Sequence, residues 1–334
     1  MTKFDDVVKK INKQYKSVAI SAGYSFEKCK RIPFTSPRLN YLLYGGLPVG
    51  KIVEIFGNEG SGKTTLSLDI IGQYQLIEEE LHSIFVDLEH SFDAEWAKLI
   101  GVDVGRLQFF KPEEQSAEKI FDYIIELVAT GAVGLVVLDS VPTLLPDGDV
   151  AKDCVDNSKV GGISKPLRLF LVKILGLLSK NNCTLILINQ SYSKVGARFP
   201  TQVQPGGGAP KYYSSVRLHV REGDEFFNKD GKKIEKNDEA PKGHEIRVEV
   251  AKSKVSRNDR KVGYMTLMYE TGIDAFKDTI DTAMKFDLIS VSGSWYEFNG
   301  QKFQGKHNLA QYLKENIPIF IELYDKVNGL LEVT

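Results

Sequence analysis

The run around Gly60 has the most specific spacing in this sequence and fits the pattern G-x-x-x-x-G-K-[ST]. Glycines in this pattern let the backbone wrap, so that successive N–H groups point at phosphate oxygens. A strand pattern at 51–56 precedes the run and a helical pattern at 64–75 follows it, which is the context the motif needs. We therefore predict a nucleoside triphosphate site made by Gly57, Asn58, Glu59, Gly60, Ser61, Gly62, Lys63, Thr64 and Thr65.

Two side chains of this run have distinct roles toward a bound nucleotide. The following helix presents its positive end to the phosphates. Lys63 is expected to reach the β and γ phosphates, and the Thr64 hydroxyl to hold Mg²⁺, so ATP with Mg²⁺ is the expected ligand. The alternative, a glycine-rich turn within a core, leaves Lys63 unexplained.

Asp139 ends a second apolar run, residues 135–139, and is expected to approach the same metal ion. Burying an unpaired carboxylate is costly, so an aspartate after four apolar residues needs a reason. At the carboxyl end of a parallel strand it would lie beside Mg²⁺. The alternative is a local capping role through Asp139 and Ser140.

Hydrolysis also needs a group that orients water, and two acids follow the strand predicted at 83–88. Asp87 and Glu89 would both stand at the carboxyl edge of the sheet, and a carboxylate near the γ phosphate can act as a general base. The pattern alone does not choose between them. The alternative for either is an acid in a solvated loop.

The elements that must position these residues alternate between strand and helix. Apolar strands are predicted at 51–56, 83–88, 135–139 and 184–189, with helices at 64–75, 117–129 and 167–178. Such alternation predicts an α/β fold with a mostly parallel sheet covered on both faces. Strands at 215–220, 245–250 and 264–269 lack intervening helices and predict an antiparallel extension, with 222–243 as an exposed hairpin or loop turning at Lys229-Asp230-Gly231.

A length of 334 residues suggests one large domain and a small one. We predict an arm at 1–33, a core at 34–270 and a small α+β domain at 271–334. The arm holds an amphipathic helix at 4–16, which either folds onto its own core or docks on a neighbouring subunit. The last domain has helices at 278–286, 309–313 and 317–331, and a hairpin of 295–298 with 301–303 around Asn299-Gly300.

Composition excludes several other classes of function. The net charge of −1 gives no bulk attraction to nucleic acid, although the sum does not describe a local basic groove. No apolar run reaches the roughly 20 residues of a membrane helix, and the N-terminus lacks the core of a secretory signal. We expect a cytoplasmic protein with no membrane partner. The three cysteines and five histidines lack ligand spacing, so neither a metal cluster nor a disulfide framework is expected.

Several stretches, taken together in order and spacing, resemble the bacterial RecA recombinases over nearly the whole chain. They are GLPVGKIVEI at 46–55, DLEHSFD at 87–93, LDSV at 138–141, LINQ at 187–190, KYYSSVRL at 211–218 and GSWY at 293–296. The resemblance implies a RecA-like phosphate-loop NTPase core with a twisted sheet, an N-terminal helix and strand arm, and a small C-terminal α+β domain.

The resemblance also implies roles for residues that spacing alone leaves undecided. Glu89 looks like the catalytic glutamate of the family, in preference to Asp87. Gln190 looks like the glutamine that senses the γ phosphate and signals to a DNA-binding loop. Asp93 and Trp96 fall where the family has an acid and a tyrosine near the adenine.

Two lysines, Lys252 and Lys254, resemble a pair that reaches the ATP of the adjacent subunit in a filament. That position would place cations in trans, where they stabilise charge in the transition state. By pattern alone, the pair would be a solvated strand end.

Two glycine-bearing stretches, 156–162 and 191–208, follow the strands of the predicted core. Their glycine N–H groups and basic side chains suit phosphate oxygens, and the resemblance places both at single-stranded DNA. Val160 and Val195 are candidates to wedge between bases. Ordinary surface loops are the alternative. The candidate DNA contacts are Lys159, Val160, Gly161, Gly162, Lys165, Arg168, Lys194, Val195, Gly196, Arg198, Gly206, Gly207 and Gly208.

Some positions depart from the family pattern. The first stretch diverges and is soon followed by Pro166, and Tyr212 stands where phenylalanine is common. The acidic tail usual in the family does not follow Leu331, so we expect duplex binding to depend less on Mg²⁺ than in tailed relatives.

The leading hypothesis is a DNA-dependent ATPase that forms helical filaments on single-stranded DNA and exchanges strands with homologous duplex DNA in recombination, in repair and in the SOS response to DNA damage. A ring helicase or an assembly ATPase on the same core is the second hypothesis, and a non-catalytic scaffold is the third. The first predicts turnover stimulated by DNA, the second closed rings, and the third no effect of replacing Lys63.

Overall fold

The computed structural model describes most of the chain and divides it into two units. The described residues are 2–15, 29–150, 162–193, 202–235, 240–257 and 259–333. One unit is Met1–Lys30 and the other is Arg31–Thr334. Within the described ranges, no helix is both long and apolar enough to span a lipid bilayer.

Most of the long helices and strands lie close to their predicted bounds, but the strand predicted at 215–220 is longer. The helices are α1 (Lys3–Tyr15), α2 (Pro37–Leu42), α3 (Lys63–Ile77), α4 (Ala94–Ile100), α5 (Ala117–Ala129), α6 (Asp147–Val150), α7 (Ser164–Lys180), α8 (Ala209–Tyr213), α9 (Ala275–Lys285), α10 (Lys306–Glu315) and α11 (Ile317–Val333), with a 3-10 turn at Val141–Thr143. The strands are β1 (Arg31–Ile32), β2 (Leu47–Pro48), β3 (Ile52–Gly57), β4 (His82–Asp87), β5 (Leu107–Phe110), β6 (Val133–Asp139), β7 (Thr184–Gln190), β8 (Tyr192–Ser193), β9 (Gln202–Val203), β10 (Val216–Phe227), β11 (Lys233–Ile234), β12 (Gly243–Ser253), β13 (Val262–Met268), β14 (Gly272–Ile273), β15 (Ser290–Ser292), β16 (Trp295–Phe298) and β17 (Gln301–Gln304). Short elements such as α4 and β5 escaped the sequence pattern because they contain too few residues to show a period.

The first unit contains α1, whose start is fixed by a reciprocal cap. The Thr2 backbone N–H donates to the Asp5 carboxylate at 2.7 Å, and the Asp5 N–H donates to the Thr2 hydroxyl at 3.3 Å. This exchange satisfies N–H groups that a helix start leaves without partners. Phe4 and Val7 are exposed on the helix.

The second unit is built on a ten-stranded sheet in the described part of the chain, with the order β14-β13-β12-β10-β3-β7-β6-β4-β5 and β11 paired to β10. The pairs from β10 through β3, β7, β6 and β4 to β5 are parallel. The pairs from β10 outward through β12 and β13 to β14 are antiparallel. The predicted α/β class and its antiparallel extension are therefore confirmed.

Both faces of the central strands are apolar because helices cover both sides of the sheet. Along β6, Leu135 and Val137 belong to the cluster that includes residues of α3 and α4. Val136 and Leu138 belong to the cluster that includes residues of α5 and α7. Alternate side chains of a strand point to opposite faces, so a continuous apolar run marks a strand buried on both.

Of the two alternatives predicted for 222–243, an exposed hairpin or an exposed loop, the described part forms a hairpin of β10 with β11, but its first part is not exposed throughout. β10 continues to Phe227, and both Phe226 and Phe227 are buried. Charged residues that suggested a loop, such as Glu222 and Asp224, are exposed on this strand, so the local composition does not indicate a strand. The predicted turn is confirmed, since Gly231 has a φ of 73° and β10 pairs with β11 across it. Residues 236–239 lie outside the described ranges.

The C-terminal helices and the strands β16 and β17 contribute to a separate hydrophobic cluster, which includes Ile280, Leu309 and Val327. The predicted hairpin is confirmed, with Phe298 opposite Gln301 across a two-residue turn. The turn residues Asn299 and Gly300 have positive φ angles, as the favoured tight hairpin turn requires.

Asp278 connects α9 to α2 and β13 from a fully buried position. Its carboxylate accepts hydrogen bonds from the Ser36 hydroxyl, the Thr266 N–H at 3.1 Å and the Thr266 hydroxyl at 2.7 Å. The Arg38 guanidinium lies 3.5 Å away. A buried carboxylate needs such partners, which fix where α9 meets the sheet.

Asp69 lies on α3, the helix after the phosphate loop, and is a second buried acid. Its carboxylate accepts hydrogen bonds of 3.3 Å from the Thr35 N–H. Burial raises the pKa of Asp69 to about 7, and the charge of Asp278 adds to the rise. Because the unfolded carboxyl has a pKa near ~4, the folded chain holds a proton between pH ~4 and ~7 that the unfolded chain has lost.

We therefore expect stability to fall as pH rises through this window, and Asp69→Asn to remove that fall. The free energy of unfolding of the wild type should drop by on the order of 3 kcal/mol from this group alone. Urea unfolding at pH steps from 4.5 to 7.5 would measure the slope. The exposed α5 variant Asp122→Asn should keep the wild-type slope; equal slopes for all three proteins would contradict the prediction.

Candidate functional site

The phosphate loop, residues 57–64, joins the end of β3 to the start of α3. Gly62 precedes the helix with a φ of 92°, in the left-handed region that favours glycine. A Cβ at Gly62 would lie 2.7 Å from Ile246 Cδ1, and a Cβ at Gly57 would lie 2.1 Å from the Val220 carbonyl oxygen. Glycine is therefore needed at both positions, because the loop presses against β10 and β12.

A cavity of about 280 Å³ opens above this loop. It brings together most of the predicted nucleotide residues from the ends of separate elements. Two further residues, His244 and Leu267, complete its wall. The lining residues are Glu59, Gly60, Ser61, Gly62, Lys63, Thr64, Thr65, Glu89, Asp139, Gln190, His244 and Leu267.

Lys63 provides the positive charge of the cavity. Its ammonium donates to the Asn58 carbonyl at 2.7 Å. Burial lowers the pKa of Lys63, and the charges of Asp139, Glu89 and Glu59 oppose that shift. A buried cation that is close to carboxylates and donates to a backbone carbonyl suits an incoming phosphate.

Ser61 supplies a second observation that fits a phosphate. Its hydroxyl oxygen is buried in the cavity wall and has no hydrogen-bond partner among the described residues. A buried hydroxyl without a partner costs free energy, so a ligand oxygen at this place would restore its hydrogen bond.

Thr64 and Asp139 meet as expected for a magnesium site. The Thr64 hydroxyl donates to the Asp139 carboxylate at 2.8 Å. Burial raises the pKa of Asp139 to about 6, the Thr64 bond opposes this, and the Glu89 charge adds to it. Mg²⁺ prefers such hard oxygen ligands, and its charge would favour the ionised carboxylate. The donor set therefore fits the ion.

The two acids after β4 differ in their surroundings. Asp87 is buried and accepts hydrogen bonds from the N–H groups of Ser91 and Phe92, at 3.3 and 3.4 Å, so it holds the loop that follows the strand. Glu89 lines the cavity and accepts a hydrogen bond from the Ser140 hydroxyl. Geometry thus gives Glu89, and not Asp87, access to a reacting water.

Gln190 ends β7 at the cavity and contacts the second glycine-bearing stretch. Its side-chain oxygen accepts a hydrogen bond from the Tyr192 hydroxyl at 2.9 Å. Tyr192 lies in β8, where it pairs with Val203 of β9. One side chain therefore links the nucleotide cavity to the strand pair on either side of residues 194–201.

Asp93 and Trp96 have local structural roles in the described structure. The Asp93 carboxylate caps α4 by accepting from the N–H groups of Glu95 and Trp96. The Trp96 indole N–H donates to the Thr65 hydroxyl at 3.3 Å, and its ring packs against the core. Neither is among the lining residues of the cavity, although Thr65 is.

Lys252 and Lys254 lie at the end of β12 and are not among the residues that line the cavity of their own chain. Both ammonium groups donate to the Tyr212 carbonyl at 3.2 Å, and Lys252 also donates to the Lys211 carbonyl. Burial, and then the charge of Lys254, lowers the pKa of Lys252.

The predicted DNA contacts are only partly within the described ranges. Gly206 and Gly207 pack on the first turn of α7, where a Cβ would lie 2.5 Å from Leu167 and 2.8 Å from Ser164 respectively. Lys165 and Arg168 are exposed on α7, which Gly162 precedes, and Gly208 leads into α8. The predicted contacts that lie outside the described residues are Lys159, Val160, Gly161, Lys194, Val195, Gly196 and Arg198.

Sequence reasoning missed His244 and Leu267. They are opposite each other in the antiparallel pair of β12 and β13. The His244 ring nitrogen Nδ1 lies 3.0 Å from the Tyr269 hydroxyl. No local signal could have found them, because only strand pairing brings this segment to the cavity.

Two family models together span almost all of the chain. The RecA N-terminal domain model matches residues 2–274, and the RecA C-terminal domain model matches residues 277–332. The chain belongs to the RecA family. Curated relatives named Protein RecA from Staphylococcus aureus, strains JH9 and Newman, are each 35% identical to it over 99% of this chain and 92% of the relative.

RecA proteins are DNA-dependent ATPases of recombination and repair that require Mg²⁺, and this chain is accordingly an ATP hydrolase that binds DNA. The chemistry of the cavity agrees with that activity. It offers a cation and backbone N–H groups for phosphates, hard oxygen donors for Mg²⁺, and the Glu89 carboxylate for a water.

The different surroundings of Glu89 and Asp87 lead to a prediction about catalysis. Glu89→Gln should lower the rate of ATP hydrolysis by roughly 100-fold or more while nucleotide binding is kept, because the variant cannot accept the proton of the water. Asp87→Asn should instead destabilise the fold by about 1–3 kcal/mol, because a buried acceptor is lost. Turnover, ATP affinity and thermal unfolding would separate the two, and the reverse assignment of effects would contradict the prediction.

Proposed function

We propose that this chain forms a helical filament on single-stranded DNA, that ATP binding controls the filament, and that the filament pairs the strand with a homologous duplex. The observation that supports this best is the contact of Gln190 with Tyr192. It connects the nucleotide cavity to the strand pair β8–β9, which flanks one of the two glycine-bearing stretches.

The cavity residues divide the chemistry among them. Lys63 and the loop backbone bind the β and γ phosphates, and Thr64 with Asp139 holds Mg²⁺, which neutralises phosphate charge when bound. Glu89 orients the attacking water and accepts its proton. Gln190 hydrogen-bonds to the γ phosphate, and a shift of its side chain changes its contact with Tyr192. The backbone wrap of residues 57–62 excludes water from the phosphates.

The base would lie toward Thr65 and His244, which both line the cavity. Trp96 is held beside Thr65 by its indole hydrogen bond, which supports a place for Asp93 and Trp96 near the adenine. Aromatic rings stack on bases whatever their sequence, so Trp96 can replace the tyrosine usual at this position.

Lys252 and Lys254 complete the site of a neighbouring subunit in this proposal. As two adjacent cations outside their own cavity, they are suited to a triphosphate held by another copy. A head-to-tail contact of this kind gives a helical filament when the rotation between neighbouring copies does not close into a ring. The exposed Phe4 and Val7 on α1 support the use of residues 1–33 as the docking arm, beside a core at 34–270 and a small domain at 271–334.

The DNA would contact the start of α7, where the described parts of both glycine-bearing stretches lie. Exposed Lys165 and Arg168 supply charge for phosphates, and Gly206–Gly208 allow close approach of backbone N–H groups. The proposal also keeps as DNA contacts the candidates outside the described residues, which are Lys159, Val160, Gly161, Lys194, Val195, Gly196 and Arg198. A filament on cellular DNA would act in the cytoplasm.

The proposal predicts that nucleotide occupancy tightens the grip on DNA. A non-hydrolysable ATP mimic with Mg²⁺ should raise affinity for a fluorescent single-stranded oligonucleotide by at least about fivefold, which is the low end of usual coupling between two sites. Lys63→Ala should lose this effect because it removes the phosphate contact. Electron microscopy should show helical filaments, and closed rings or an unchanged affinity would contradict the proposal.

A mixing experiment tests the shared active site. Glu89→Gln alone and Lys252→Ala with Lys254→Ala should each be nearly inactive on DNA. An equimolar mixture should regain about a quarter of the wild-type rate, because random head-to-tail assembly joins an intact glutamate to an intact lysine pair at one interface in about four. Lack of any recovery in mixed filaments would show that the lysines act within their own chain.

A further inference from the structure

A buried carboxylate lies next to the nucleotide site but is not used by it. Glu54 is in β3, three residues before the phosphate loop, and is fully buried. One of its oxygens accepts a hydrogen bond from the Asn189 amide at 3.0 Å. The other accepts a hydrogen bond from the Arg217 guanidinium in a close ion pair.

Both partners of Glu54 also hold the same short segment. The Asn189 amide donates to the Pro205 carbonyl at 3.1 Å. The Arg217 guanidinium donates to the Gln204 side-chain oxygen at 3.0 Å. Gln204 and Pro205 follow β9 and precede the glycines that pack on α7, so this is the C-terminal end of the second glycine-bearing stretch.

The partners of Glu54 also contact the residues proposed to sense and to neutralise the γ phosphate. The Asn189 side-chain oxygen accepts a hydrogen bond from the Gln190 N–H at 3.0 Å. In the sheet, Arg217 of β10 is the register partner of Glu54 in β3 on one side and of Lys252 in β12 on the other. The Phe56 ring lies 4.6 Å from the guanidinium carbon and fixes its plane.

A buried ion pair of this kind tolerates few arrangements. Removing charge from water is costly, and the cost is recovered only while the oxygens of Glu54 keep their donors. A shift of Asn189 or Arg217 must therefore be accompanied by a shift of the others. Bonds that shift together can transmit displacement between two sites, provided the element has two states that both ligands bias.

We propose that Glu54 is a positioning residue that couples the nucleotide cavity to the DNA-binding segment. Its partner Asn189 hydrogen-bonds to both Gln190 and Pro205. Its partner Arg217 hydrogen-bonds to Gln204 and pairs in the sheet with Lys252. Tyr192 holds one end of the segment and Glu54 the other. This inference rests on the proposed function, because it requires that nucleotide and single-stranded DNA influence each other.

Glu54→Gln is the direct test, since it keeps the size of the side chain and removes its charge. Without DNA, KM for ATP and the turnover rate should stay within about twofold of wild type. Stimulation of turnover by single-stranded DNA should fall about tenfold, and the gain in DNA affinity caused by a non-hydrolysable ATP mimic should be largely lost, because coupling is reciprocal.

The matched control is Glu245→Gln, which breaks the ion pair of a second buried carboxylate with partly buried Arg38 at 2.7 Å. Within the described residues, neither member of this pair hydrogen-bonds to Gln204 or Pro205. This variant should lower the melting temperature but keep DNA stimulation. Equal loss of stimulation in both variants would overturn the proposal. So would wild-type stimulation in Glu54→Gln.

A double variant separates coupling from fold damage. Glu54→Gln with Arg217→Met removes both charges, which should recover stability lost in the single variant without recovering DNA stimulation. Gln204→Ala removes only the hydrogen bond from Arg217 to the segment, and it should also reduce the stimulation of turnover by DNA. Recovery of stimulation along with stability would overturn the proposal.

A wild-type protein without DNA stimulation would refute the proposed function itself, whereas normal wild-type stimulation that survives in Glu54→Gln refutes only the role of Glu54.

Discussion

Charge that is removed from water must meet opposite charge or hydrogen-bond donors, and this constraint organises the carboxyl edge of the central sheet. Lys63 faces Asp139, Glu89 and Glu59, and Asp139 shares a hydrogen bond with Thr64. The attraction between these groups offsets only part of the cost of removing them from water, since the pKa of Lys63 is lowered and that of Asp139 is raised. Triphosphate with Mg²⁺ would supply the missing charges, which explains why so many ionisable groups are tolerated in one small cavity.

The same constraint extends behind the cavity. Glu54 is buried between the apolar residues Val53 and Ile55 of β3. Its donors Asn189 and Arg217 also donate hydrogen bonds to Pro205 and Gln204. A nucleotide site and a glycine-bearing segment thus share hydrogen-bond partners. The glycines of that segment pack directly on α7, because any side chain at Gly206 would collide with Leu167. Close packing and buried charge together restrict how the segment can move relative to the phosphate loop.

The sheet determines which residues can meet. Parallel strands β3, β4, β6 and β7 end at one edge, so that Glu89, Asp139 and Gln190 reach the cavity from distant places in the sequence. The antiparallel extension brings His244 and Leu267 to the same cavity. Asp93 shows that a position in a motif does not by itself bring a residue to the cavity. The resemblance places it near the adenine, whereas its carboxylate caps α4 and is not among the lining residues.

The sequence alone determined the phosphate loop, the strand that precedes it and the doubly covered sheet, because backbone wrapping and two-sided burial leave direct marks in spacing and in apolar runs. It could not choose between Asp87 and Glu89 on spacing, nor reveal that β10 runs on through a charged stretch to Phe227. Those outcomes depend on what surrounds each side chain. Only the tertiary structure placed Asp87 against the N–H groups of its own loop, brought His244 to the cavity and joined Glu54 to Gln204 through Arg217, because such contacts join residues that strand pairing brings together from distant parts of the chain.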